Sequence, residues 1–385
     1  MAITEKYVTV AGGGLHDGTS EANAWTFDEA IAGVSAGDRV NVKAGTHPCS
    51  TSTTTGGTNT DQIHIRGYVS TIGDLDETPL GTMVGGTEMP LVEVTGSQRG
   101  FKGIYTTFSH LAIKGMSDYS QAWETGQGAV IRSCRFTNSS GSSLYYNVLR
   151  AGPFSALHDC YLEPLSGSSG TYGISVSYSN CVINAVNCVG PVLNANNVVG
   201  CTIIGSGSGN SVGIRVDDSG PCNYIGNTIV NCTTGIIANT YNYGVSIVGC
   251  YFSNCGTAVE NIKLGTFLIS SCCYHNVTTQ LSGWDTQYLA TVDATDQFVD
   301  SAGGDYTLLP ASNGYNSMQP NLLAGTGTVT KKDIGAIRHA DPGSTPYTPT
   351  AGTRIYPFRQ WVEDDFGTAG GGGATHYDPF TNPRF

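Results

Sequence analysis

Asp217 and Asp218 are the only adjacent acids in the repetitive stretch 131–276 of this 385-residue chain, and Arg215 stands two positions before them. Two carboxylates and a guanidinium are what acid–base chemistry at a charged glycosidic bond needs. Hydrolysis uses two carboxyl groups at a set separation. Elimination beside a uronate uses a base, often Arg or Lys, and a cation or positive group that acidifies the α-carbon. In either scheme Asp217 and Asp218 would serve as acid and base, with Arg215 binding substrate. The plainer reading carries more weight. Asp-Asp-Ser-Gly-Pro (217–221) is turn chemistry at a strand end. A catalytic groove also recruits acids from several repeats, whereas the positions equivalent to Arg215 hold Ser175 and Ile237.

Other polar clusters read the same way. His158-Asp159 sits where the chain must turn a corner, His275 reads as an outward polar residue, and His16-Asp17 falls in a Gly-rich loop. Asp285, Asp293, Asp296, Asp300 and Asp305 lack the alternating spacing of a calcium loop. No Cys-x-x-Cys pair suggests zinc. The runs Gly12–Gly14 and Gly370–Gly373 lack the strand–loop–Lys context of a phosphate cradle. The expectation is therefore no metal and no cofactor. Tyr119, Trp123, Tyr145 and Tyr146 lie in loop-like stretches and suit glycan stacking and packing on the protein equally well.

These residues would be held by a repeat. Ile131-Arg-Ser-Cys134-Arg-Phe136 returns around Cys160, Cys181, Cys201, Asn227, Cys250 and Cys272, at intervals of 26, 21, 20, 26, 23 and 22 residues. Such a period marks a solenoid whose units need their neighbours to bury apolar surface. The pivot and the residue two beyond it share a strand face, while the apolar residue three before it is out of phase, so a corner lies between. Gly173-Ile-Ser-Val176, Gly213-Ile-Arg-Val216, Gly235-Ile-Ile-Ala238 and Ala258-Val-Glu-Asn261 predict a further strand in each coil. Asn138, Asn231, Asn254 and Asn276 follow their pivots by four, where Asn tolerates a left-handed bend and can stack into amide ladders. Phe108-Ser-His-Leu111-Ala-Ile113 is a further copy with Leu at the pivot. Residues 48–61, 73–90 and 117–127 read as loops.

Net charge is −12, which disfavours a nucleic-acid partner. No run of about 18 apolar residues suggests a membrane span, and MAITEKYVTV does not read as a signal peptide. Six of the twelve Cys are pivots, which predicts a reduced ladder of small apolar side chains.

Thr26-Phe-Asp-Glu29 predicts a capping box opening a short helix with Phe27, Ala30 and Ile31 on its apolar face. The stretch 12–46, from Gly-Gly-Gly through Ala-Trp-Thr-Phe-Asp-Glu-Ala-Ile to Asp-Arg-Val-Asn-Val-Lys-Ala-Gly-Thr, resembles the start of right-handed parallel β-helix proteins of the pectate-lyase-like superfamily. Ile63-His-Ile-Arg-Gly-Tyr68 resembles a second coil, and Asp296–Leu308 and Asp333-Ile-Gly-Ala336 resemble closing phrases of such proteins. The resemblance implies an all-β, right-handed, single-stranded parallel β-helix with a short N-terminal capping helix and an extended C-terminal tail. Its expected parts are an N-terminal cap at 1–47, the helix at 48–339 and a Pro/Gly/aromatic-rich tail at 340–385.

The superfamily includes polysaccharide lyases, hydrolases and phage virion proteins. Without an acid cluster drawn from several coils, the expectation is a structural protein of a bacteriophage particle: a capsid decoration, fibre or tail component that binds surface glycan. It would be made in the host cytoplasm and reside in the virion. The alternative is a lyase or hydrolase depolymerising an acidic glycan. Tyr356, Phe358, Arg359, Trp361, Tyr377 and Phe380 in the tail are the expected assembly anchors, for a homotrimer guessed from the resemblance and for other virion proteins.

Overall fold

Each repeat phrase is a corner between two strands. The residue before the pivot adopts left-handed backbone at His110, Ser133, Asp159, Asn180, Gly200, Gly226, Gly249 and Ser271, with φ between 48° and 63°. One such residue reverses the facing of the strand. The pivot and the apolar residue three before it can then both point inward, which accounts for the odd offset. Asn231, Asn254 and Asn276 turn the next corner in the same conformation, whereas Asn138 ends the strand Arg135–Asn138. Asn276 donates its amide to Asn254 at 2.7 Å, and Asn223 donates to Asn197 at 3.0 Å, so amide ladders do form.

The computed structural model describes residues 3–312 apart from 51–53, 59, 77–85, 96–101, 116–122, 125, 139–148, 152–153, 164–170, 174–175, 187–189, 208–210, 217–221, 239–243, 262–266, 283–290, 294, 302–304 and 310. Three parallel sheets of 11, 11 and 8 strands run along a right-handed β-helix. The first holds Thr4–Val8, Asp38–Lys43, Ile63–Tyr68, Thr106–Ser109, Val130–Arg132, Ala156–His158 and their successors to Phe267–Ser270. The second runs from Gly45–Cys49 to Thr291–Asp293, and the third from Trp123–Glu124 to Thr279–Ser282. All described residues fall in one compact unit.

Stacked inward rows make the core. Phe108, Ile131, Leu157, Tyr178, Val198, Tyr224, Ile247 and Ile269 form one buried row, and Ile113, Phe136, Leu162, Ile183, Ile203, Ile229, Phe252 and Tyr274 another. Burying each such side chain fully contributes about 1.5–3 kcal/mol. The pivots lie between these rows, all at most 1% exposed. The eleven described cysteines are free thiols. Cys273 points away from Cys272, out of the column, and is nonetheless buried, its thiol directed at Asp293.

The N-terminal end is closed by the helix Phe27–Gly33, which carries the expected Thr26–Glu29 capping box and buries Phe27, Ala30 and Ile31. Lys6 lies over the Trp25 ring, 4.7 Å from its centre. At the other end, Phe298–Asp300 and Asp305–Leu308 form an antiparallel hairpin.

Four expectations need correction. Tyr7-Val-Thr-Val10 reads as the opening strand in the sequence, whereas that strand is Thr4–Val8, already part of the first sheet. Within 48–61, Thr54–Gly56 is a strand paired with Lys102–Ile104, because the Thr-rich run extends readily. Trp123–Glu124 is a strand that opens the third sheet. The third-sheet strand before Arg215 is Pro191–Asn194, so Asn194 rather than Ser175 is its register partner, and the coil before that places Tyr172 in the same row. The Pro at 191 and the Asn at 194 hid that strand from pattern reading.

Candidate functional site

Outward positions of the first sheet form two rows. Glu5, Arg39, His64 and Thr107 stand in one; Tyr7, Asn41, Arg66, Ser109, Arg132 and His158 stand in the other. Alternation within Asp-Arg-Val-Asn-Val-Lys and Ile-His-Ile-Arg produces them: Val40, Val42, Ile63 and Ile65 turn inward and send Arg39, His64 and Arg66 out.

Buried Asn41 organises the upper part. Its amide nitrogen donates to Glu5 at 2.7 Å and to the Lys6 carbonyl at 3.1 Å, and its oxygen accepts from Arg66 Nε at 2.7 Å. Arg39 donates to Glu5 at 2.9 Å, and Arg66 Nη2 lies 4.0 Å from the same carboxylate. Arg66 and Arg39 keep 28% and 32% of their side-chain surface exposed. Glu5 therefore faces two guanidiniums, and Arg132 follows two coils below Arg66.

His64 reports the field of this cluster. Burial first, then repulsion from Arg39, Arg66 and Arg132, pushes its pKa down to about 4, against the opposing pull of Glu5. Its imidazole is neutral at neutral pH. Burial and Arg39 likewise lower Arg66, opposed by Glu5 and Asp76, though a guanidinium stays protonated. Asp76 flanks the cluster, 3.8 Å from His110. Below Arg132, His158 Nδ1 hydrogen-bonds the Ser179 hydroxyl at 2.5 Å. Among the described residues, Arg39, Arg66 and Arg132 stand near Glu5, Asp74 and Asp76 on a chain of net charge −12.

The outward face of the second sheet is also charged, but it pairs within itself. Lys114 lies 3.5 Å from Glu93, and Arg135 donates to Glu163 at 3.1 Å while covering the Tyr161 ring. Lower on that sheet, the residues are covered. Asp293 accepts from Tyr251 at 2.7 Å and Ser312 at 2.6 Å, and the Phe298 ring packs tilted against Tyr251, centroids 5.0 Å apart. His275, facing outward as expected, is buried and hydrogen-bonds Ser253 at 3.0 Å.

Of the residues singled out by sequence, Arg215 lies on the third sheet between Asn194 and Ile237, with Glu260 one coil beyond. Asp217, Asp218, Tyr119, Tyr145, Tyr146 and the six tail anchors lie outside the described residues, and of Trp123 only the backbone strand is described. Sequence reasoning passed over the cationic face because it examined the third-sheet strands. Aligning the positions two and four before each pivot would have put Arg66 and Arg132 in one row.

Comparison with solved structures places the architecture. Pectate lyase Pel9A matches with a TM-score of 0.59 over 87% of this chain and 96% of its own, at 12% identity. The chain has the pectate-lyase-like fold. Weaker matches with this fold are ORF18 of Geobacillus virus E2, at TM-score 0.46, 12% identity, 76% of this chain and 62% of that one, and the A-module of the Azotobacter vinelandii mannuronan C-5 epimerase AlgE6, at TM-score 0.40, 10% identity, 76% and 89%. At these identities the likeness is one of fold. No protein-family model and no curated protein matches the sequence.

Proposed function

We propose that the chain binds an acidic polysaccharide along the outward face of its first sheet, around Arg39, Arg66 and Arg132. The observation that supports it most is that Arg39, Arg66 and Arg132 all act on a neutral His64 from the outward side of one sheet, with Arg66 held by the buried Asn41. Guanidinium forks suit carboxylate and sulfate groups, and a flat parallel sheet offers an extended polymer an equivalent rung every ~4.8 Å. The opening and closing phrases resemble a superfamily that includes phage virion proteins, which supports a setting in a phage particle, where such binding would attach the particle to a surface glycan. The trimer and the virion partners expected from the tail belong to the same proposal.

The test is titration calorimetry of the full chain with acidic polysaccharides. R66Q/R132Q, with an unchanged melting temperature, is expected to weaken binding at least tenfold and to flatten its salt dependence. Binding unaffected by the double variant would sink the proposal.

His64 favours a second reading, elimination on the same glycan. Guanidiniums neutralise a uronate carboxylate, an uncharged imidazole takes the α-proton, and the C=C bond that forms expels the glycosidic oxygen, which takes a proton from water. An unsaturated product that appears with the wild type and vanishes with H64Q would establish it. Binding with no product from any acidic polymer would leave the binding reading alone.

A further inference from the structure

We infer that the N-terminal cap is an acid-sensitive latch: a proton taken up by His47 loosens the helix Phe27–Gly33 from the column and leaves the coils below in place. His47 is fully buried on the strand Gly45–Cys49. It heads an inward row that continues, rung by rung, as Val92, Ile113, Phe136 and Leu162. Those four are apolar, so a titratable ring stands at the top of a hydrocarbon stack, against the cap.

Only one nitrogen of the ring is satisfied. Nε2 lies 2.8 Å from the Lys43 carbonyl. A carbonyl oxygen only accepts, so Nε2 carries the hydrogen and Nδ1 the lone pair. Nδ1 is buried, and no described group hydrogen-bonds it. The Phe27 ring packs against the imidazole, tilted by 52°, with centroids 6.2 Å apart. Neutral His47 thus fills the space beneath the helix as an apolar side chain would. A proton on Nδ1 adds a charge and a donor without an acceptor there, and both are costly to bury. Lifting the helix returns the ring to water and relieves that cost.

The charged groups on the surrounding elements are engaged elsewhere. On the helix, Asp28 accepts from the backbone and hydroxyl of Ser50, and Glu29 accepts from Thr26 and sits beside His16. The Lys43 ammonium reaches Glu21, and Glu93, next to Val92, lies 3.5 Å from Lys114. Cys49, the next inward residue of the strand, is a neutral thiol whose pKa burial and Asp28 push up to about 12. Burial holds the His47 pKa below the ordinary value of 6.5, opposed by the bond to the Lys43 carbonyl. The cap therefore has its full hold above pH 6.5 and loses it as pH falls through the lowered value.

The test is hydrogen exchange with mass spectrometry on the full chain from pH 7 to pH 4.5, with rates corrected for the intrinsic pH dependence. Protection of 27–34 is expected to fall about tenfold or more at the acid end, while 131–136 keeps its protection. H47L extends the apolar row, removes the titrating group and should hold 27–34 protected throughout. H47Q keeps a donor for the Lys43 carbonyl and serves if H47L does not fold. Wild-type protection of 27–34 that does not change with pH would overturn the inference. So would an acid loss of the same size in whichever variant folds, since it would assign the effect to Asp28, Glu29 or another group.

Discussion

At the scale of single residues, the account turns on groups that report one another's charge. His64 titrates at about 4 in the folded chain, against 6.5 for an ordinary histidine. Between those values the folded chain binds fewer protons than the unfolded one, so stability rises with pH. The full stability is present above pH 6.5 and is lost as pH falls through 4. H64Q removes that proton, so its stability should fall less on acidification, by at most about 3 kcal/mol. Thermal melts from pH 7 to pH 4 check this, and parallel curves for both proteins would contradict it. His47 and His110, whose pKa values burial also lowers, supply a background slope common to both. Little of this was legible in the sequence. Arg39, Arg66 and Arg132 lie 27 and 66 residues apart, and they meet only because successive coils stack in register.

At the scale of the coil, the repeat phrase carries most of its own explanation. The odd offset between the apolar residues needs a left-handed corner, and that corner lies one residue before each pivot. Asn227 is the informative exception among the thiols. Fully buried, it accepts from the Cys201 N–H at 2.9 Å and donates to the Val198 carbonyl at 2.8 Å. N227A strands both backbone groups and should cost about 1–3 kcal/mol. N227C should cost less, since Cys201 already accepts the Cys181 N–H on its sulfur at 3.4 Å. Denaturant melts that rank the two variants equally would contradict this. Gly67 sits where a Cβ would lie 1.9 Å from the His110 carbonyl oxygen and 2.8 Å from Pro90 Cδ. G67A should therefore push neighbouring coils apart and lower the melting temperature sharply, and an unchanged melt would show that the approach can relax. Coils with a regular phrase were readable. The strands at 54–56, 123–124 and 191–194 were not, because they lack the alternation that marks a half-buried strand.

At the scale of the whole column, the two ends differ. The N-terminal end carries a capped helix and the Lys6–Trp25 stack, whereas towards the far end a hairpin lays Phe298 on the outward Tyr251, whose hydroxyl reaches the buried Asp293. Asp293 collects hydroxyls from Tyr251 and Ser312 and the Cys273 thiol, so D293A leaves three donors without their acceptor. Amide exchange around 273–275 should then accelerate while exchange at 131–136 stays slow, and unchanged protection at 273–275 would refute that role. The period and the strand phrases suffice for a parallel β-solenoid, and its right hand comes with the resemblance of the opening and closing phrases. The place of the binding face does not follow from them, since it depends on which outward rungs coincide. The most direct test of that face is an NMR titration of His64 in the full chain, with and without a saturating acidic oligosaccharide. Burial is the larger cause of the low His64 pKa, and an anion seated among Arg39, Arg66 and Arg132 offsets the repulsion that adds to it, so the pKa should rise. An oligosaccharide that binds and leaves the His64 titration unmoved would place the glycan elsewhere and contradict the account.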